Sequence, residues 1–252
     1  MLETIRRGAT VHKCCHVSID DVFSCFNNII DNANKWSTIF NDPFLGYLQK
    51  LHKKYGCCFT LYAYKQRGGV DISLMPQIYR TEFQTNSTWL KIGFHGIQPV
   101  QTAPRDLSVE IFKINYYAFK SSVIDFAGVE SLASVLRLDF FYATQEIVRF
   151  LRNEGVTVLL AADDERISYG LPAAENELLL KHHYLEYNGM NYLSTNVRIE
   201  KIIVPPISLF NNINENPLVV FTHEWILGRV NRWKLEWLLW LLKKLHYKQI
   251  CQ

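Results

Sequence analysis

The sequence has no Gly/Ser-rich linker, no low-complexity segment and no internal repeat, so nothing within its 252 residues divides it. One domain over 1–252 is the simpler expectation, and α/β barrels routinely reach this length as a single unit. A long basic run is also missing. The 27 Lys and Arg are scattered among 24 Asp and Glu, for a net charge of +3, and this gives nucleic-acid binding little support. No apolar run reaches the ~20 residues needed to cross a bilayer. The most apolar stretch, 237–242, is bracketed by Arg229, Arg232, Lys234, Lys243 and Lys244. It reads as part of a terminal helix, about 228–246, packed on the core, with a membrane-surface or dimer helix as rivals and a possible homo-oligomer through it.

The opening MLETIRRGATVHKCC lacks the apolar stretch and small-residue cleavage site of a secretory signal, which predicts a cytoplasmic chain. Asn86-Ser-Thr88 is then a glycosylation acceptor by chance. The six cysteines, Cys14, Cys15, Cys25, Cys57, Cys58 and Cys251, match no zinc module, because neighbours on a strand face opposite ways. Reduced, mostly buried thiols are expected rather than disulfides.

Apolar residues make up 48% and charged residues 20%, a globular balance with material for a large core. Short apolar runs alternate with longer helical stretches, as consecutive βα units around parallel strands require. Strands are predicted at 11–19, 58–64, 90–94, 135–140, 156–161, 192–196 and 218–222. Helices are predicted at 43–55, 107–122 and 144–154, the last capped by Thr144 and ended before Gly155, and in the terminal segment. The fold class is therefore α/β, a barrel of seven parallel strands.

Every second side chain of a strand faces the same way, which splits each run into two sets. In the first strand His12, Cys14, His16, Ser18 and Asp20 oppose Cys15, Val17 and Ile19. The polar set is expected inside. The same rule turns inward Tyr62 and Tyr64; His95; Val135, Arg137 and Asp139; Thr157, Leu159, Ala161 and Asp163; Ser194, Asn196 and Arg198; and Val219, Phe221 and His223. Active sites of parallel barrels lie at the C-terminal strand ends. Asp20, Tyr64, His95, Asp139, Asp163, Asn196 and His223 are thus expected at one rim. Arg137 with Asp139 could instead be an interior ion pair, and Tyr62, Tyr64, Trp89 and Trp225 could be core or sugar-stacking aromatics.

The segment His16-Val-Ser-Ile-Asp-Asp21 resembles the first motif of the polysaccharide deacetylases (NodB homology, carbohydrate esterase family 4), usually written T-F-D-D. Gly93-Phe-His95 is similar to that family's metal-binding histidine motif, and Arg137 with Phe140, Phe141 and Tyr142 to its arginine–aromatic motif. Val219-Val-Phe-Thr-His223 is similar to its closing strand, and Asp163 with Asp164 to its late acidic motif, though without the following tryptophan. The resemblance implies a distorted barrel and a metal-dependent deacetylase acting on the N-acetyl group of a glycan. Asp20 would be the general base, His223 the general acid, and Asp21 and His95 ligands of zinc or a similar divalent cation.

Arg137, Asp163, Asp164, Tyr64, Asn196, Arg198 and Glu224 would bind substrate or tune these groups. One departure matters: the family's second metal histidine, four residues on, is replaced by Pro99. Asp139 or Glu224 could supply the third ligand. A carbohydrate-binding or regulatory relative without hydrolysis, and a two-carboxylate glycosidase using Asp20 with Asp139 or Glu224, are the rival readings.

Overall fold

The computed structural model describes residues 13–101, 107–203 and 215–250. Seven strands carry the architecture: β1 (Cys14–Val22), β2 (Phe59–Tyr64), β3 (Leu90–Gly96), β4 (Val135–Leu136), β5 (Val158–Ala161), β6 (Met190–Ser194) and β7 (Leu218–His223). The start of the predicted first strand, with His12, and Cys251 lie outside the described residues.

One sheet runs β7-β1-β2-β3, all parallel, with the short strand Val197–Arg198 beyond β7. A second runs β4-β5-β6, also parallel, edged by the antiparallel strand Tyr184–Tyr187. The two sheets meet twice. On one side Ile92 of β3 bridges Leu132, and Ala133 N–H donates to Ile92 O at 3.0 Å. On the other, β6 leads within two residues into Val197–Arg198, which pairs with β7. The strand order therefore follows the chain order around a distorted barrel, with the seven strands the sequence predicts.

Helices α1 (Ser24–Asn32), α2 (Pro43–Tyr55), α3 (Arg80–Asn86), α4 (Val109–Ala127), α5 (Gln145–Asn153), α6 (Ala173–His182) and α7 (Arg229–Lys244) lie between and after the strands. Local chemistry explains the best-predicted of them. The Asp42 carboxylate accepts from Phe44 and Leu45 N–H, both at 2.9 Å, and Pro43 follows it at the first helical position. Gly56, at φ +70°, ends α2 in the left-handed conformation that glycine tolerates. Phe44, Leu45, Leu48 and Leu51 then bury one face. Thr144 caps α5 as predicted, its hydroxyl accepting from Ile147 N–H at 3.3 Å.

Two predictions need correction, and three helices carry no signal in the sequence reading. The strand expected at 135–140 stops at Leu136, and Asp139–Phe141 forms a 3-10 turn. Asp139 Oδ1 accepts from Phe140 N–H at 2.8 Å, a local bond that competes with the ladder. The strand expected at 192–196 ends at Ser194, because Asn196 bonds Val219 through both its side chain and its own N–H. Helices α1, α3 and α6 were not predicted. The start of α1 is capped by Glu224, nearly the whole chain away, so no local signal marks it.

Barrel packing also accounts for Gly93. A Cβ there would lie 2.7 Å from the Tyr62 ring, which occupies that space while its hydroxyl donates to Val135 O at 2.9 Å. Cys15, Cys25 and Cys57 carry free, buried thiols. Among the described residues no helix is long and apolar enough to cross a membrane.

Candidate metal centre and hydrolytic pocket

Asp20 and Asp21 should face opposite ways on an ideal strand. Here the pairing of β1 with β2 shifts register between Ile19 and Val22, and Asp21 takes φ +56°. That irregularity brings both carboxylates to one pocket of about 150 Å³, which His95, Asp139 and His223 also line. Three strand ends, those of β1, β3 and β7, and the turn after β4 therefore converge there.

Asp21, His95 and Asp139 each offer a ligand atom, all within 4.8 Å of one another. Each is also held from behind. His95 Nδ1 lies 2.7 Å from Arg137 O, so Nδ1 carries the proton and Nε2 faces Asp21 Oδ1 at 3.2 Å. Asp21 Oδ2 accepts from Trp225 Nε1–H at 2.8 Å. Two carboxylates, one imidazole and an outer layer of hydrogen bonds form a donor set suited to zinc or a similar divalent cation, with positions left for water or substrate.

The Tyr64 hydroxyl lies 2.9 Å from Asp21 Oδ1 and 3.0 Å from Asp139 Oδ2. A phenol has one proton, so it donates to one carboxylate while the other contact needs a protonated partner. Burial, opposed by His95 and the Tyr64 hydrogen bond, raises the Asp139 carboxyl pKa. Burial also opposes ionisation of Asp21, yet hydrogen bonds from His95 and Trp225 keep it well below that range. For His95, burial works against the charged ring, but Asp21, Asp20 and Asp139 carry its pKa up to about 9.

The alternative of an Arg137–Asp139 ion pair is not realised. Arg137 is 0% exposed and reaches Asp20 Oδ2 instead, at 3.3 Å, with Thr195 Oγ1 at 3.1 Å and the Phe221 ring 4.2 Å away. Asp20 Oδ1 also meets the Ser18 hydroxyl at 3.4 Å. His223 points Nδ1 at Glu200 Oε1, 2.7 Å away.

The other predicted residues divide. Arg198 lines the pocket between Asp163 at 3.9 Å and Glu200 at 3.8 Å. Asp163 binds Lys201 at 2.7 Å rather than His223, and Asp164 is held by Arg166 at the surface. Asn196 serves the backbone of Val219. Glu224 accepts from Phe23, Ser24 and Cys25 N–H, each at 2.8 Å, so it is a helix cap and not a ligand. Of the candidate stacking aromatics, Tyr62, Tyr64 and Trp89 are core, and Trp225 is 62% exposed.

Sequence reasoning missed Glu200 and Thr195. One more step of the 194, 196, 198 alternation would have reached Glu200. Thr195 had no such signal, because the chain leaves strand geometry at that point.

No protein-family model matches the sequence, and no curated protein matches it. Solved structures do match. A Mycobacterium smegmatis protein assigned as a polysaccharide deacetylase aligns over 92% of this chain and 85% of its own, with TM-score 0.57 and 11% identity. The Bc1960 peptidoglycan N-acetylglucosamine deacetylase, solved with 4-naphthalen-1-yl-N-oxidanyl-benzamide, aligns over 94% and 85%, with TM-score 0.54 and 10% identity. A Streptococcus mutans CE4 esterase aligns over 98% and 89%, with TM-score 0.52 and 13% identity. At such identities the likeness is one of fold, and the fold is that of the polysaccharide deacetylases, as the motifs of the sequence implied.

Proposed function

We propose that this chain, built on the fold of the polysaccharide deacetylases, is a divalent-metal-dependent hydrolase that removes the N-acetyl group from an amino sugar of a glycan. The observation that carries the reading is the Asp21–His95–Asp139 group beside Asp20 and His223 in one pocket. Asp139 supplies the third donor that Pro99 cannot. A divalent cation held by these three residues would supply Lewis-acid polarisation of the amide carbonyl and, in the case of zinc, would lower the pKa of a water toward ~7.

The protein's own groups do the rest. Asp20, oriented by Arg137, takes the proton of the attacking water as its oxygen bonds to the carbonyl carbon. His223, held through Nδ1–H by Glu200, acts as the imidazolium, whose Nε2 proton passes to the departing amine nitrogen and leaves the neutral ring. The C–N bond breaks, and acetate and the free amino sugar result. Trp225 offers an exposed indole at the same rim on which a sugar ring can stack. A glycosidase pairing of Asp20 with Glu224 finds no support, because Glu224 already serves three backbone N–H groups.

The test is acetate release from chito-oligosaccharides by zinc- or cobalt-loaded protein. Asp20→Asn should cost roughly 10²–10⁴ in kcat while metal content is kept. Failure of the loaded protein to turn over any N-acetylated glycan would overturn the reading.

A further inference from the structure

The outer side of α7 carries a feature that hydrolysis does not use. Leu235, Leu238, Leu239 and Leu242 bury its inner face. Opposite them, Val230, Trp233, Trp237 and Trp240 recur at i, i+3, i+7 and i+10, a spacing that keeps them on one side of a helix. Val230 is 64%, Trp233 53% and Trp240 45% exposed, and Trp237, half-buried, packs against the core. A row of large apolar side chains at helical spacing differs from the single exposed residues of an ordinary surface.

Apart from Glu236, the charged residues of α7 are basic. Arg229, Lys243 and Lys244 are exposed, Lys243 also donating to Lys54 O at 2.8 Å, while the half-buried Arg232 and Lys234 donate to Leu227 O at 2.8 Å and Glu200 O at 3.4 Å. Glu236, the helix's one acid, is already held by Lys54 at 2.7 Å.

A second copy of the chain suits this face badly. Antiparallel pairing along the row would set Arg229 and Arg232 against Lys243 and Lys244, and parallel pairing would set each cluster against itself. A neutral glycan would stack on the indoles but leave the cations without a role. A flat anionic surface satisfies both features. Indoles rest at headgroup depth, while Lys and Arg stems lie along the apolar row and their charges reach lipid phosphates. We propose that α7 is a docking surface for anionic lipid bilayers, seated through Val230, Trp233 and Trp240.

Flotation of the full chain with vesicles tests this independently of any deacetylase activity. The chain should float with phosphatidylcholine vesicles containing phosphatidylglycerol and not with phosphatidylcholine alone, and high salt should weaken binding. Lys243→Gln with Lys244→Gln should weaken it about fivefold per charge removed. Trp233→Ser with Trp240→Ser should abolish it, with far-UV circular dichroism unchanged because both side chains are exposed. Quenching of tryptophan emission by brominated lipid in the unaltered protein checks the same seat without a variant. No flotation with either vesicle, flotation indifferent to the tryptophans, or a tryptophan-dependent dimer or chitin complex in its place would overturn the proposal.

Discussion

Glu200 Oε1 lies 2.7 Å from His223 Nδ1 and also accepts from the Thr222 hydroxyl at 3.0 Å and His223 N–H at 3.2 Å. Burial pushes the Glu200 pKa up, but the hydrogen bond and charge of His223, with Thr222, outweigh it and keep the carboxyl below its ordinary value. An ionised Glu200 fixes the tautomer and rotation of the ring, so its effect on turnover passes through His223. His223→Gln should lower kcat by roughly 10²–10⁴. Glu200→Gln should lower it by less, and the double variant should be no slower than His223→Gln alone. Additive losses in steady-state kinetics would give Glu200 a separate role.

Metal content separates the ligands from their neighbours. Asp21→Asn, His95→Ala and Asp139→Asn should each lose most bound zinc by plasma mass spectrometry, and a chelator should stop acetate release until metal is restored. Glu224→Gln should keep its metal. Its cost should appear as about 1–2 kcal/mol of stability, from weakened capping at the start of α1. Zinc lost from Glu224→Gln and kept by Asp139→Asn would reverse the assignment.

Much of this arrangement was legible in the sequence because alternation and strand ends are local properties. Asp20, His95 and His223 lie where a period of two puts them, and the order of the seven strands follows from βα alternation. What escaped was set by contacts distant in sequence. Glu224 reads as a free acid beside a strand end until α1 folds against it, and Arg137 reads as a partner of Asp139, two residues away, until β1 brings Asp20 to it. The pairing of Asp20 with Asp21 at one site rests on a single left-handed residue that no composition reveals.

The Arg137–Asp20 pair is fully inside the barrel, which makes its two halves unequal to remove. Arg137→Met leaves a buried carboxylate without its cation and should cost about 3–5 kcal/mol. Adding Asp20→Asn should recover a good part of that loss, since the remaining group is neutral. Chemical denaturation of both single variants and the double variant measures the coupling. Simple additivity would mean that the 3.3 Å contact contributes little.

His16 sets the acid limit of stability. The ring is 2% exposed, and burial together with the nearby Arg137 charge lowers its pKa from 6.5 to about 3, against a backbone hydrogen bond to Ile250. Between those two values the unfolded chain binds a proton that the folded protein does not. The contribution is therefore fully present above about pH 6.5 and lost as pH falls, by up to ~1.4 kcal/mol per pH unit. Glu200 and the other lowered carboxyls act in the same direction but nearer pH 4, and His95, raised to about 9, acts only above 6.5 in the metal-free protein. Urea midpoints between about pH 5 and pH 6.5 thus isolate His16. They should fall with pH in the unaltered chain and much less in His16→Gln, whereas an equal slope in both would place the acid sensitivity elsewhere.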